Sequence, residues 1–494
     1  MTVDTIAGLL DQSALSRPHQ PMILDTAGAA LTVSEVAKLA KAGARWLAEA
    51  GVRPGVTVAW QLPSQSSAAV LMLALARMPV VQAPVLHLYR RREVRAALDA
   101  AGAQVLIVDR STADNAPTDV PTIRLPDEFL GLLGGQPDLA VPDDTHSGHD
   151  VRWTYFTSGT TGHPKGVRHT DATLLAAARG YTTHLGLGDH PAEVGTIAFP
   201  IAHIGGILYV ACALIGSFPV LMVPKIDAQL PRVLAANRVT LSGSSTAFYQ
   251  LLLDAQLASG RDEPIIPSLR MLIGGGAPCP PELHREVRRR MGVPIVHAYG
   301  MTEAPTICVS QATDTEEQQV NSCGRPIPGA QIRTAATGEI ELRGASVTPG
   351  YVDTEQWTNT TTPDGWFRTG DRGRLRPDGR IEITGRIKDL ILRKGENISP
   401  DEVENELLAH PLIDAVAVVG QPDAQRGEMV CAVVRRSSRH RDITLDELCA
   451  FLDERGLMKQ KWPERLVIVD EFPLTGLGKV AKSQLVEQLS GGTR

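Results

Sequence analysis

Hydrophobic and polar positions along this chain repeat at helical and strand spacing in turn. Thr32-x-x-Glu35 forms a capping-box pattern, in which the hydroxyl and the carboxylate can satisfy orphan amides at a helix start. Val36, Leu39, Gly43 and Leu47 follow at helical spacing, and Gly51 is placed to end the helix. Val56 to Leu62 reads as a strand, Ser64 to Arg77 as a buried helix, Arg92 to Ala101 as a further helix and Val105 to Asp109 as a strand. Such alternation predicts an α/β fold, a large multi-layer unit of mainly parallel sheets. Arg110 to Asp150, rich in Pro, Asp and Gly, reads as irregular surface.

A second unit begins near Lys388. Ser399-Pro400-Asp401-Glu402 combines an N-cap, an N1 proline and a capping-box glutamate ahead of Val403, Leu407 and Leu408. Strands at Ala415 to Val419, Met429 to Arg435 and Leu466 to Val469, with helices opened by Thr444-x-x-Glu447 and around Val480 to Leu489, complete a small α+β domain. The predicted division is 1–386 and 387–494. A length of 494 residues already calls for two or more domains.

No charged residue occurs between Glu193 and Lys225, a stretch long enough to raise the question of a membrane span. Pro200, Pro219, His203 and Gly205-Gly206 interrupt it, which suits a buried strand–turn–helix–strand instead. The N-terminal residues lack a basic stretch leading into an apolar run, so no signal peptide is expected. Composition adds little: 43% hydrophobic and 21% charged residues fit a soluble globular enzyme. A net charge of −6 argues against nucleic acid as the main partner, and Arg285 to Arg290 and Arg435 to Arg441 read as solvated surface. Six scattered cysteines without CxxC or zinc spacing read as reduced thiols in a cytoplasmic protein.

The strongest chemical signal is Thr157-Ser158-Gly159-Thr160-Thr161-Gly162-His163-Pro164-Lys165-Gly166, after the strand-like Trp153 to Phe156. Its glycines let backbone approach a phosphate, its amides and hydroxyls can cradle the oxygens, and Lys165 adds positive charge. The GK[ST] ending of a Walker A loop is absent.

This string resembles the phosphate-binding loop of the adenylate-forming superfamily, which comprises acyl-CoA synthetases, luciferases and the adenylation domains of peptide synthetases. Matching motifs follow in matching order from about Trp153 to Lys479. Gly274-Gly275-Gly276-Ala277-Pro278 follows a strand, and the resemblance implies that it lines an adenine pocket. In Tyr299-Gly300-Met301-Thr302-Glu303 an aromatic ring can stack on a base, a hydroxyl can bond the α-phosphate and a carboxylate can hold magnesium, and the family uses the matching residues so. Asp371, in Trp366-Phe367-Arg368-Thr369-Gly370-Asp371, resembles the aspartate that bonds both ribose hydroxyls, and Arg386 resembles the arginine contacting ribose and phosphate. The resemblance places a hinge at Lys388, where a solvent-exposed residue can absorb a backbone change.

Pro473-Leu474-Thr475-Gly476-Leu477-Gly478-Lys479 resembles the loop carrying the catalytic lysine. Attack of a carboxylate on a phosphate brings two anions together, and a mobile ammonium neutralising both can contribute about 3 kcal/mol. Leu474 departs from the pattern, since many relatives carry a basic residue there. Lys394-Gly395-Glu396-Asn397 resembles the loop that lines a pantetheine tunnel; with Lys394 where relatives often have glycine, thiol-arm binding rests on Gly395. His203 matches a position bordering the substrate carboxylate and the CoA tunnel, although a lone histidine in an apolar segment is also commonly a satisfied core residue. Ser244, Ser245 and Thr246 match the opposite pocket wall.

The resemblance implies an ATP-dependent acid–thiol ligase using Mg2+ and coenzyme A as co-substrate. A carboxylate attacks the α-phosphate of ATP, giving acyl-AMP and pyrophosphate. The small domain then turns, withdrawing Lys479 and bringing in Gly395 for thiol attack. The uncharged stretch favours a hydrophobic acid (medium-chain, alicyclic, aryl or steroid-derived) over an amino acid. A stand-alone enzyme loading a carrier protein, a luciferase-like oxygenase and a non-catalytic nucleotide-binding relative remain as alternatives; Lys479 and Glu303 argue against the last. The acid, the pathway and the oligomeric state, a homodimer included, are not legible in the chain.

Overall fold

A computed structural model describes residues 3–136, 146–158, 164–276, 279–393, 396–423, 427–436, 443–475 and 479–491. The Thr32 capping box forms as the hydroxyl-to-amide spacing requires, and it opens the helix Val33–Glu49. One face of that helix packs against the almost wholly buried helix Ser66–Leu75. That second helix is apolar on every side, because it lies within the core rather than on it.

The largest sheet has seven strands in the order Gly350–Tyr351, Pro164–Thr170, Val151–Ser158, Val81–Pro84, Thr57–Gln61, Val105–Val108 and Thr122–Arg124. Its middle is parallel, and the Pro164–Thr170 and Gly350–Tyr351 strands add antiparallel pairs at one edge. A five-stranded sheet runs Leu241–Ser242, Met271–Gly275, Ile295–Met301, Ala304–Val309, Arg325–Pro326, parallel at first and antiparallel after Ile295–Met301. A third, four-stranded sheet is parallel except for its terminal hairpin. The sheet Ala330–Thr334, Glu339–Gly344, Phe367–Leu375, Ile381–Arg386 is antiparallel throughout. Parallel pairing thus dominates only the interiors of the layered sheets, where helices cover the strands.

The uncharged stretch folds as the strand Gly195–Ile197, the helix Ile204–Gly216 and the strand Val220–Met222. Among the described residues no helix is long and apolar enough to cross a membrane. Arg110 to Asp150 departs from the expected irregular surface. It contains the strand Thr122–Arg124 and the short helix Phe129–Gly134, whose Phe129 and Leu133 are core residues. Their spacing of four puts both on one helical face despite the surrounding glycines.

The hydrophobic clusters of the larger unit use no residue beyond Ile383, and those of the smaller unit begin at Ile391. In the smaller unit Val416–Asp423 pairs with Gly427–Arg435, and Arg465–Val469 joins the latter in parallel. Ser399 is the N-cap of Pro400–Leu408, but the expected capping box does not form; the serine hydroxyl points elsewhere. Arg285, Arg289 and Arg290 are ion-paired on the helix Pro281–Met291. Of the second basic stretch, residues 437–441 lie outside the described residues.

Asp171 ties the N-terminus to the largest sheet. Its carboxylate, 1% exposed, accepts from the Ile6 amide at 2.9 Å and from the Trp153 indole at 2.6 Å. Asp171→Ala would strand both donors, at a cost of roughly 2–4 kcal/mol. The expected result is a clearly lower midpoint in chemical denaturation; an unchanged midpoint would show that water replaces the carboxylate without loss.

Candidate active site

Thr302 and Glu303 are the two turn residues of a hairpin, because Met301 and Ala304 face each other across it. Three contacts clamp this tip. His169 Nε2 lies 2.7 Å from the Thr302 carbonyl, which can only accept, so that nitrogen donates. The Thr348 amide donates to the Glu303 carbonyl at 2.8 Å, and the Tyr351 hydroxyl donates to Glu303 Oε1 at 2.8 Å. Burial pulls the pKa of His169 down to about 4, so the ring is neutral. Burial also raises the pKa of Glu303, with the Tyr351 hydroxyl, Arg386 and Lys165 opposing.

Lys165 stands opposite Thr157 in the strand pair that begins and ends the phosphate-loop motif, and Ser158 is opposite Pro164. The Lys165 ammonium lies 5.7 Å from the centre of the Tyr351 ring. Tyr351 therefore touches both the carboxylate at the hairpin tip and the cation at the foot of the loop. Gly159, Thr160, Thr161 and Gly162 themselves lie outside the described residues, as do Ala277, Pro278 and Gly395.

A second carboxylate faces the same cleft. Asp371 is paired in register with Arg386; it accepts from the Tyr299 hydroxyl at 2.6 Å and from Arg386 Nε at 3.0 Å. Its pKa is raised by burial, and Arg386 and Tyr299 oppose the rise. Gly300 and Met301 continue the strand from Tyr299, and Met301 packs with Tyr299 in the same apolar cluster. Gly275 pairs with Ala298 on the neighbouring strand. Gly276 has φ +85°, a conformation that favours glycine.

Lys479 reaches this cleft from the smaller unit. A Cβ built on Gly276 would lie 3.7 Å from its Nζ. The residue keeps contact with solvent, while crowding of the ammonium and the nearby Arg386 lower its pKa and Asp371 opposes. His203 caps the helix Ile204–Gly216, its Nδ1 accepting from the Gly205 amide at 3.2 Å. Burial draws the pKa of His203 to about 4, and the Lys479 charge adds to the effect. The imidazole is therefore a neutral group near a cation, whatever else it does. Lys388 stands in the exposed single turn Ile387–Asp389.

The sequence motifs thus converge: Gly276, Asp371, Arg386 and His203 gather around Lys479, Tyr299 is bonded to Asp371, and Glu303, beside Lys165 and Tyr351, is joined to the group by the charge of Arg386. His169 and Tyr351 were not singled out by the sequence. Neither stands in a pattern that marks it: His169 lies in a strand that also carries Lys165 and Arg168, and Tyr351 in a two-residue strand with Gly350. Among the described residues no cluster of three or more His, Cys, Asp or Glu could cage a metal. A single buried carboxylate beside a hydroxyl nevertheless fits Mg2+, which commonly takes one or two carboxylates and completes its shell with substrate phosphates and water.

Layered sheets bring two buried carboxylates together with a lysine carried beyond Ile391, an arrangement suited to holding phosphate groups. A sequence profile described as AMP-binding enzyme matches residues 10–352, and one described as AMP-binding enzyme C-terminal domain matches residues 402–479. The chain belongs to the AMP-binding enzyme family. It is 30% identical to a medium-chain fatty-acid–CoA ligase of Escherichia coli K12, over 97% of this chain and 89% of that protein. It is 31% identical to a 2-succinylbenzoate–CoA ligase of Bacillus cereus, over 90% of this chain and 91% of that protein. The crystal structure of ATP-bound MatB from Rhodopseudomonas palustris superposes with a TM-score of 0.88 at 28% identity, covering 98% of both chains.

Glu303 offers a direct test of the electrostatics. Its pKa is raised in the fold, so its ionised form is penalised there: the associated stability is present at low pH and lost as pH rises through the folded pKa. Glu303→Gln removes that penalty while keeping an acceptor for Tyr351. At pH 7 without nucleotide the variant is expected to melt at or above the wild-type temperature, yet to lose magnesium-dependent turnover. A variant that melts lower would mean that the charged carboxylate stabilises the empty site.

Proposed function

We propose that this chain is an ATP-dependent acyl-CoA synthetase that activates a hydrophobic monocarboxylic acid as its acyl-AMP and transfers the acyl group to coenzyme A. The observation that carries this reading is the position of Lys479, held by the small unit against the Gly276 backbone and beside the Asp371–Arg386 pair. Its family relatives include CoA ligases for a medium-chain fatty acid and for 2-succinylbenzoate.

In the first half-reaction a carboxylate oxygen attacks the α-phosphorus, and the bond to pyrophosphate breaks. Bringing two anions together is the principal barrier, and the cationic groups Lys479, Arg386 and Lys165 oppose it. Lys479 neutralises the carboxylate and the α-phosphate. Thr302 donates its hydroxyl to the α-phosphate, Tyr299 packs on the adenine, and Asp371 exchanges its present donors for the ribose hydroxyls. Thr157 to Gly162 receive the outer phosphates and Gly275 to Pro278 border the base; Glu303 would hold Mg2+, which would supply charge neutralisation on the phosphates. In the second half-reaction the CoA sulfur attacks the acyl carbonyl, AMP leaves, and the thiol proton passes to solvent. That step requires Lys479 to withdraw and Gly395 to enter, by rotation about Lys388. A division of the chain into 1–386 and 387–494 is supported by the separation of the hydrophobic clusters at Ile383 and Ile391.

The acid is expected to be apolar beyond its carboxylate. The helix Ile204–Gly216 carries no charge, and His203 at its start is neutral at pH 7. The helix itself offers no cationic side chain to a second carboxylate. Six free thiols support a reducing, cytoplasmic setting.

Pyrophosphate release with ATP, Mg2+ and a panel of mono- and dicarboxylic acids, with and without CoA, tests the reading. Turnover is expected to require an apolar monocarboxylic acid and CoA. Lys479→Ala should slow acyl-AMP formation by roughly 100- to 1,000-fold, while thioester formation from supplied acyl-AMP is largely retained. Release independent of CoA would point to a carrier-protein thiol as acceptor. Equal loss in both half-reactions would remove Lys479 from its assigned role.

A further inference from the structure

The helix Pro400–Leu408 begins with every sequence signal for a self-contained N-cap, yet its serine does not cap. Ser399 has the extended N-cap backbone, φ −77° and ψ 118°, with Pro400 at the first helical position. Among the described residues its hydroxyl satisfies no amide of its own helix. It donates instead to the Thr384 carbonyl, 2.5 Å away and 15 residues back along the chain. Ser399 is buried, so this is an interior contact rather than a solvated one.

The contact spans the turn Ile387–Asp389 that contains Lys388. Thr384 belongs to the strand Ile381–Arg386, whose Gly385 and Arg386 pair with Arg372 and Asp371. Gly385 leaves the room: with φ +139°, a Cβ there would lie 2.7 Å from Ser399 Oγ. The helix is also tied to the segment that follows Lys479. Lys482, three residues after Lys479, pairs with Glu404 at 2.7 Å and with Asp401 at 3.5 Å. Glu404 also accepts from the Val418 amide at 2.6 Å, which fixes it to the small sheet. A continuous set of contacts therefore runs from the Lys479 loop through Lys482, Glu404 and the helix to Ser399, and from there to the strand holding Arg386.

We propose that Ser399 is a positioning residue whose hydroxyl, diverted from helix capping to the Thr384 carbonyl, latches the small unit in the orientation that places Lys479 in the cleft. The latch rests on the two-step reading above. Contacts inside the small unit travel with it when it turns, whereas the Ser399–Thr384 bond crosses the turn and must break. It therefore weights the equilibrium between the adenylate-forming and thioester-forming orientations without touching substrate. A bond used only in one of two states shifts their populations by its own weight.

The test compares two single-turnover rates in the full chain: pyrophosphate release from ATP and the acid giving most turnover in the panel above, and thioester formation from that acid's synthetic adenylate with CoA. Each rate scales with the population of its own orientation, so their ratio reports the equilibrium. Ser399→Ala is expected to lower the adenylation-to-thioesterification ratio about threefold to tenfold, the weight of one hydrogen bond. Ser399→Thr, which keeps the donor, should restore most of it. The thermal stability of Ser399→Ala should change little, since no helix cap is lost. An unchanged ratio, or an equal fall in both rates, would overturn the latch while leaving the synthetase reading intact. Failure of the wild type in both half-reactions would instead sink that reading. The latch would then be decided by tryptic cleavage after Arg386 and Lys388, expected faster in Ser399→Ala and unchanged in Ser399→Thr; equal cleavage in all three proteins would overturn it.

Discussion

Two cations and one carboxylate meet where the two units of this protein face each other. Arg386 and Lys479 repel, and Asp371 lies beside both; burial and then Arg386 lower the pKa of Lys479, and Asp371 opposes them. That balance leaves a cleft rich in positive charge but not fully neutralised, which is what a pair of incoming anions requires. One cation belongs to the strand ending at Arg386 and the other to the small unit, so in the proposed cycle the charge of the site would change with the orientation of that unit. Folding within each unit can be complete while the site is not.

The rest of the large unit serves to hold oxygen and nitrogen atoms still around that cleft. Tight pairing of Met301 with Ala304 leaves Thr302 and Glu303 no place except the hairpin tip, and His169, Thr348 and Tyr351 remove its remaining freedom. Two buried carboxylates with raised pKa values are costly in an empty protein, and both are placed where a ligand can relieve the cost, Glu303 by a cation and Asp371 by hydroxyl donors. Perturbed titrations of this kind gather where a protein binds or reacts.

The small unit has its own cluster around Val403, Leu407, Val418 and Val430, separate from those of the large unit, as the proposed turning requires. At the connecting turn it is attached to the large unit by a short exposed segment, by the Ser399–Thr384 hydrogen bond and by packing of the helix Pro400–Leu408 against the strand Ile381–Arg386. A stronger attachment would hold Lys479 better and release it worse. In the proposed two-step cycle, one hydrogen bond is a suitable weight for an equilibrium crossed in every turnover.

The sequence by itself determined the elements and the order of the motifs. Helix starts such as Thr32 and Thr444, the strand–helix–strand between Glu193 and Lys225 and the placement of glycines beside strands all follow from local spacing, because capping, periodicity and backbone freedom act over a few residues. Family resemblance then attached chemistry to Lys479, Glu303 and Asp371. Contacts between residues far apart in the chain were not legible. Tyr351 on Glu303, His169 on Thr302 and the antiparallel edges of the sheets depend on which strands become neighbours. Phe129 and Leu133 were hidden by a glycine-rich setting that only packing overrides. Ser399 is the clearest case: its neighbours specify a capping box, and the Thr384 carbonyl, brought within 2.5 Å by the tertiary fold, draws its hydroxyl away instead. A serine side chain occupies one rotamer at a time, and only the three-dimensional arrangement decides which partner that rotamer meets.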